Sequence, residues 1–146
     1  MSKSQRYPAE GRESVDAPSG RRIRQITSHP SIHHHPFFFV RAYDEVMQRL
    51  LFVSNRTGKP QIFFEDRQTG ELVQATDRND LADWSIIPSD DGRYVYYTAG
   101  PSGWRVNLDT FEQEQLADFG AVEMREKGMV GAAMGTTALS KNGRWW

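Results

Sequence analysis

One phrase recurs along this chain and leaves few folds open to it. Leu50-Leu51-Phe52-Val53 is a short apolar run, Asn55 to Pro60 is turn chemistry, Ile62-Phe63-Phe64 is a second run, and Gln68-Thr69-Gly70 leads into Glu71 to Thr76. Asn, Gly and Pro accept or fix turn dihedrals, while Phe, Val and Ile favour a pleated surface. The order therefore reads as consecutive antiparallel strands and not as a helix. The phrase then returns as Tyr94 to Thr98, a Gly100-Pro101-Ser102-Gly103 turn, Trp104 to Asp109, and Glu112 to Phe119. Arg49 and Arg93 stand 44 positions apart, and Asp66 and Asp109 stand 43 apart.

A repeat of this length holding three to four short strands is the mark of a β-propeller blade. Two partial copies flank the full ones. Upstream, Ser19 to Thr27 echoes Thr69 to Thr76, and downstream, Leu139 to Trp146 answers Pro88 to Val95. The expected architecture is all-β, a β-propeller fragment of about two complete four-stranded blades with parts of two others. Residues 1–19 form a flexible lead, 20–27 an outer closing strand, 33–76 a first blade, 84–119 a second, and 129–146 the start of a third. Propellers close with about 4–8 blades, so the chain is expected to be the N-terminal part of a longer protein, with 20–27 pairing to the last blade and so removing an exposed edge. Trp145 and Trp146 point the same way: each is worth roughly 4–6 kcal/mol if buried, as an upper estimate, and the sequence offers them little partner surface. Self-association of short chains into a ring is the alternative.

Composition removes several functions. The net charge is −1, with cations scattered among acids, which disfavours a nucleic-acid or anionic-membrane surface. There are no cysteines, hence neither a disulfide framework nor a thiolate metal site. Met1 to Pro18 contains no apolar signal-type core, and no stretch approaches the roughly 20 apolar residues of a membrane span, so a cytoplasmic location is expected.

All four histidines fall in Ser28 to Phe39, at His29, His33, His34 and His35. His33-His34-His35 is read as standing at the mouth of the funnel, just before an inner strand starting at Phe37, where imidazoles meet an anionic ligand. The plainer alternative is a loop whose histidines cap backbone carbonyls. Neighbours on an extended chain face opposite ways, so three in a row cannot all ligate one ion, and no metal site is assigned to them. Arg56 and Lys59 read as a solvated hairpin tip and Asp44 and Glu45 as turn formers. Asp77, Asp80 and Asp83 suit a brief helical turn, after which Trp84 to Ile87 opens another inner strand. Gly128, Gly131 and Gly135 match no dinucleotide or phosphate loop.

Phe52-Val53-Ser54-Asn55-Arg56-Thr57-Gly58-Lys59-Pro60-Gln61-Ile62-Phe63 resembles the blade motif of TolB-like propellers, and Ser89-Asp90-Asp91-Gly92-Arg93 resembles the turn ahead of it. A narrower resemblance covers Gly20 to Trp146. It consists of an Arg-Gln-Ile-Thr strand, a histidine followed by an aromatic run, a Leu-Leu-Phe blade, and Trp104-Arg105-Val106-Asn107-Leu108-Asp109. In that order the chain is similar to the N-terminal part of oligogalacturonate lyases, seven-bladed cytoplasmic enzymes that degrade pectin-derived oligouronides. Val46-Met47-Gln48 departs from the usual Asp-Gly turn, and Pro36 interrupts the aromatic run.

The resemblance implies β-elimination at a uronic acid. Removing a C5 proton α to a carboxylate needs a base, and a group that neutralises the carboxylate as enolate character grows. In that family a divalent metal, usually manganese, does the neutralising, held by histidines and a glutamine of later blades, which also carry the catalytic histidine and arginine. No catalytic residue and no metal ligand is therefore expected in this chain. His33, His34 and His35 are carried over as substrate contacts to an oligogalacturonide, His34 most closely. A non-enzymatic TolB-like propeller that binds a protein or glycan is the competing expectation.

Overall fold

The computed structural model of the chain describes residues 4–119 and 135–146. Among the described residues there are strands and no helix. In chain order they are β1 (Arg6–Tyr7), β2 (Arg12–Val15), β3 (Arg22–Gln25), β4 (His33–His34), β5 (Tyr43–Asp44), β6 (Arg49–Ser54), β7 (Gln61–Asp66), β8 (Leu72–Gln74), β9 (Ile87–Pro88), β10 (Tyr94–Ala99), β11 (Ser102–Asn107) and β12 (Gln113–Asp118). They form three sheets. A first blade runs β1-β8-β7-β6-β4, with β5 also on β6; a second runs β12-β11-β10-β9; and β2 pairs with β3. Each blade is an antiparallel meander. This is the all-β propeller architecture expected from the repeat.

The two blades pack face to face. Leu51, Val53, Ile62, Phe64 and Val73 of the first meet Ile86, Val95, Tyr97, Val106 and Leu108 of the second in one buried cluster. A fully buried side chain of this size contributes about 1.5–3 kcal/mol, so this layer holds most of the stability. The first blade also buries its other face, where Phe52, Phe63 and Leu72 are covered by Tyr7 and Ile26. Burial on both faces explains why β6 and β7 carry continuous apolar runs. β10, covered chiefly on one face, alternates Val95, Tyr97 and Ala99 inward with half-buried Tyr94 and Tyr96.

The third and fourth strands of each blade are joined by the same loop. The Asp66 carbonyl accepts from the Gly70 N–H, and its side chain accepts from the N–H groups of Gln68 and Thr69. Asn107 does the same for Phe111, Asp109 and Thr110. Arg49 pairs with Asp66 and Tyr94 with Asn107, so Asp66 answers to Asn107 rather than to Asp109. The register differs because β10 and β11 turn through Gly100-Pro101, whereas β6 and β7 are joined by the longer Asn55 to Pro60 loop.

Four segments differ from the sequence reading. Arg6–Tyr7 and Arg12–Val15 are strands within what was expected to be a flexible lead; β1 adds to the edge of β8, and β2 pairs with β3 inside the expected 20–27 strand. Phe37 does not open an inner strand: His33 and His34 are themselves that strand, and the Phe37 carbonyl accepts from the Val40 N–H in a turn. Trp84 and Ser85 lie in a turn closed by the Ser85 N–H on the Ala82 carbonyl, which leaves Ile87–Pro88 as the inner strand. Of the third-blade segment, residues 129–134 lie outside the described residues. Residues 135–146 hold no strand, and Trp146 packs against Tyr96 with its indole N–H donating to Thr137 Oγ1 at 2.8 Å.

Candidate functional site

The site is built on β4, the innermost strand of the first blade, where His33 pairs with Ser54 and His34 with Val53. Alternation along the strand sends the two rings to opposite faces. His33 meets Phe52 at 6.0 Å between centroids and His29 at 6.2 Å. Its Nε2 stands 3.1 Å from the His29 carbonyl oxygen, which can only accept, so Nε2 carries the proton and Nδ1 is the basic nitrogen. Burial pushes the His33 pKa down, and the nearby charge of Arg56 adds to this against the opposing pull of the His29 carbonyl. His33 is thus a neutral, inward-turned imidazole.

His34 faces the second blade. Its ring stacks on Trp84 with centroids 4.5 Å apart and planes 28° from parallel, and Nε2 lies 3.3 Å from Asp83 Oδ2. Its Nδ1 is 2.9 Å from the His35 carbonyl oxygen. Both ring nitrogens therefore face acceptors. His35 is exposed, with Nδ1 2.5 Å from the Pro36 carbonyl. The three predicted residues are adjacent in the chain but do not converge. His34 joins Trp84 and Asp83 of the second blade, His33 joins the underside of the first, and His35 stays with its own backbone.

Aromatic surface continues from Trp84. Phe37 meets it at 6.0 Å, nearly perpendicular, and the Phe37, Phe38 and Phe39 rings pack on one another at 4.6–5.4 Å. Phe38 is 82% exposed, Phe39 57% and Trp84 46%. Behind this turn, Phe39, Val40, Leu51, Ile87, Pro88 and Leu139 line part of a cavity of about 290 Å³.

Two further groups escaped the sequence reading. Arg56, expected at a solvated tip, is only 6% exposed: it lies 4.0 Å over the Tyr7 ring and donates to Glu10 at 2.6 Å. Burial alone would raise the Glu10 pKa, yet hydrogen bonds from Arg56, Thr27 and the Ser28 N–H outweigh it and hold the carboxyl at about 2. No local signal could have found this pair, whose members stand 46 residues apart. The spacing of Asp77, Asp80 and Asp83 suits a brief helical turn, but the segment holds no helix, and the place of Asp83 beside His34 depends on the packing of two blades.

Among the described residues no group of three or more His, Asp or Glu side chains lies close enough to hold a metal ion. The histidine rings do not converge: His33 Nε2, His34 Nδ1 and His35 Nδ1 face backbone carbonyls, His29 Nδ1 faces Ser31 and His34 Nε2 faces Asp83, so these residues do not fit the divalent metal that the family resemblance implies.

No family model matches the chain, and no curated protein matches it in sequence. Solved structures do. The fold is similar to that of an oligogalacturonate lyase in complex with manganese, with a TM-score of 0.71 and 22% identity, covering 82% of this chain and 33% of that one. An oligogalacturonate lyase from Vibrio parahaemolyticus also gives 0.71, at 20% identity over 78% of this chain and 31% of that one. TolB from Acinetobacter baumannii gives 0.54, at 21% identity over 77% and 28%. The chain thus spans about a third of the length of the structures it matches. At these identities the likeness concerns the fold: a run of propeller blades of the lyase-like and TolB-like kind.

Proposed function

We propose that this chain is the N-terminal part of an oligogalacturonate lyase-like propeller that cleaves pectin-derived oligogalacturonides by metal-assisted β-elimination, and that the chain by itself binds without turning over. The observation that carries the reading is His34, set on the inner strand between Asp83 and Trp84 beside open aromatic surface, in a fold that superposes on oligogalacturonate lyases. A divalent metal held by residues outside this chain would supply charge neutralisation at the uronate carboxylate. The residues described here hold and orient the sugar: His34 offers an N–H toward anionic oxygen, Asp83 accepts from hydroxyls, and the aromatic surface excludes water. The base and the leaving-group acid lie elsewhere.

Turnover is the test. The full-length protein, incubated with unsaturated digalacturonate and manganese, is expected to release keto-deoxy-uronate monomers, and the 146-residue chain to release none. Absence of turnover with any uronide overturns the reading. A second reading, a TolB-like scaffold that binds a glycan or protein without chemistry, draws on the likeness to TolB and on the exposed Phe38 and Phe39. It predicts saturable binding on this face and an unchanged ligand.

A further inference from the structure

We infer that Trp84 is a stacking platform for a pyranose ring, with His34 and Asp83 at its rim selecting which sugar it takes; this rests on the uronide reading above and names how that site grips its ligand. An indole is among the largest apolar surfaces a chain can bury; in these blades Phe52, Phe63, Phe64 and Tyr97 are buried and Trp104, Tyr94 and Tyr96 part-buried. Trp84 instead keeps nearly half its surface open, at the inner edge where the two blades meet.

The open ring is held still. His34 stacks on it at 4.5 Å, and Phe37 meets it at 86° to its plane. The turn that carries it is closed twice onto the Ala82 carbonyl, by the N–H and the hydroxyl of Ser85, and the same hydroxyl accepts from the Thr98 N–H of β10. A ligand that settles on Trp84 therefore has little side-chain motion to arrest, which lowers the cost of binding.

The chemistry around the ring matches one ligand class. A pyranose has a face of C–H bonds whose hydrogens are slightly positive, suited to the negative face of an indole, and a rim of hydroxyls that need hydrogen-bonding partners. Asp83, 38% exposed at its side chain, can accept from such hydroxyls, and His34 Nε2, which faces Asp83 Oδ2 at 3.3 Å, is a donor that a sugar carboxylate gains by taking the place of Asp83. An apolar segment of a protein would strip water from the part-exposed Asp83 carboxylate and return no hydrogen bond, at a desolvation cost that a sugar avoids. The Phe38 and Phe39 rings extend the surface beyond one ring, which fits an oligosaccharide better than a monosaccharide.

Isothermal titration of the full-length protein with trigalacturonate and with a neutral galactose trisaccharide tests this. Trp84→Ala is expected to weaken binding of both sugars by roughly tenfold or more, and Trp84→Phe by a few-fold, since a smaller ring remains. His34→Ala should weaken the acidic sugar and spare the neutral one. Thermal melting of Trp84→Phe guards against a folding defect, because that variant keeps a ring against His34. Wild-type binding that Trp84→Ala leaves unchanged overturns the stacking platform and leaves the uronide reading standing. Trp84-dependent binding with no preference for the acidic sugar keeps the platform and overturns the uronide reading. No binding of either sugar by the wild type overturns both.

Discussion

The two blades share a strand plan and differ in what covers them. The first is enclosed twice, by the second blade on one face and by Tyr7 and Ile26 on the other, and its β7 is buried along nearly its whole length. The second has one such face. Its opposite face meets Trp146 over Tyr96, and its last strand, Gln113–Asp118, is mostly exposed. The same meander therefore tolerates continuous apolar runs in one copy and demands alternation in the other. What sets the difference is the segment before residue 28, which brings Glu10 to Arg56 and Arg24 to Glu65 across the first blade.

The repeated loop makes the same point at one residue. Gly70 and Phe111 both adopt left-handed backbone, at φ of 76° and 61°. Gly70 has Ala9 directly over it, so a Cβ there would sit 3.0 Å from the alanine methyl, whereas the Phe111 ring packs onto the inter-blade core. The second blade accepts a strained residue in exchange for a buried ring. The first, closed over by the N-terminal segment, leaves a side chain there little room.

The largest expected effect comes from breaking the doubly enclosed face. Phe63→Ala removes a fully buried ring lying 5.7 Å from Phe52 and 5.9 Å from Tyr7, and should cost about 3–5 kcal/mol in urea denaturation. Tyr96→Ala on the open face of the second blade should cost about 1–2 kcal/mol; equal losses would erase the contrast drawn between the blades.

Arg24→Ala comes next. Glu65 is 0% exposed and is held by Arg24 through two bonds of 2.5 and 2.7 Å, with Arg67 farther off at 3.4 Å. Removing Arg24 leaves a buried carboxylate poorly paired, at about 2–3 kcal/mol, while the double variant Arg24→Met with Glu65→Met should recover most of the loss. Failure of the double variant to recover would show that the hairpin is held by more than this pair. Hydrogen exchange in β2 and β3 should accelerate in the single variant.

Acid should loosen the N-terminal cover in two stages. His33 is held below its ordinary 6.5, so the stability tied to its neutral form is complete above about pH 6.5 and is lost as pH falls below that. Glu10 is held at about 2 against 4.5, so its contribution is complete above about pH 4.5 and lost between there and about pH 2. Glu10→Gln should remove the lower stage and cost about 1–2 kcal/mol at neutral pH. A pH-stability profile for that variant matching the wild type below pH 4.5 would contradict the assignment. The smallest effect is Gly70→Ala, about 1–2 kcal/mol from the left-handed backbone and the contact with Ala9, read as a shift in melting temperature. A neutral result would mean that the N-terminal segment yields easily.

What was legible in the residues is local and periodic. Leu50 to Val53, Ile62 to Phe64 and Tyr94 to Thr98 announce strands, Gly70, Gly92 and Gly100 announce turns, and their spacing announces blades, because β propensity and turn dihedrals are properties of a few neighbouring residues. The histidine cluster was legible as a place, and strand alternation already required His33 and His34 to part. Their partners were not legible. Trp84 and Asp83 reach His34 only when two blades pack, Glu10 reaches Arg56 only when the N-terminal segment folds back, and Arg24 meets Glu65 across 41 residues. The reading of Arg6–Tyr7 and Arg12–Val15 as a loose lead failed for the same reason, since two- and four-residue polar strands have no propensity strong enough to declare themselves and exist through the edges they pair with. Propensity and period lie within one stretch of chain; burial and charge pairing belong to residues that meet only once the fold has formed.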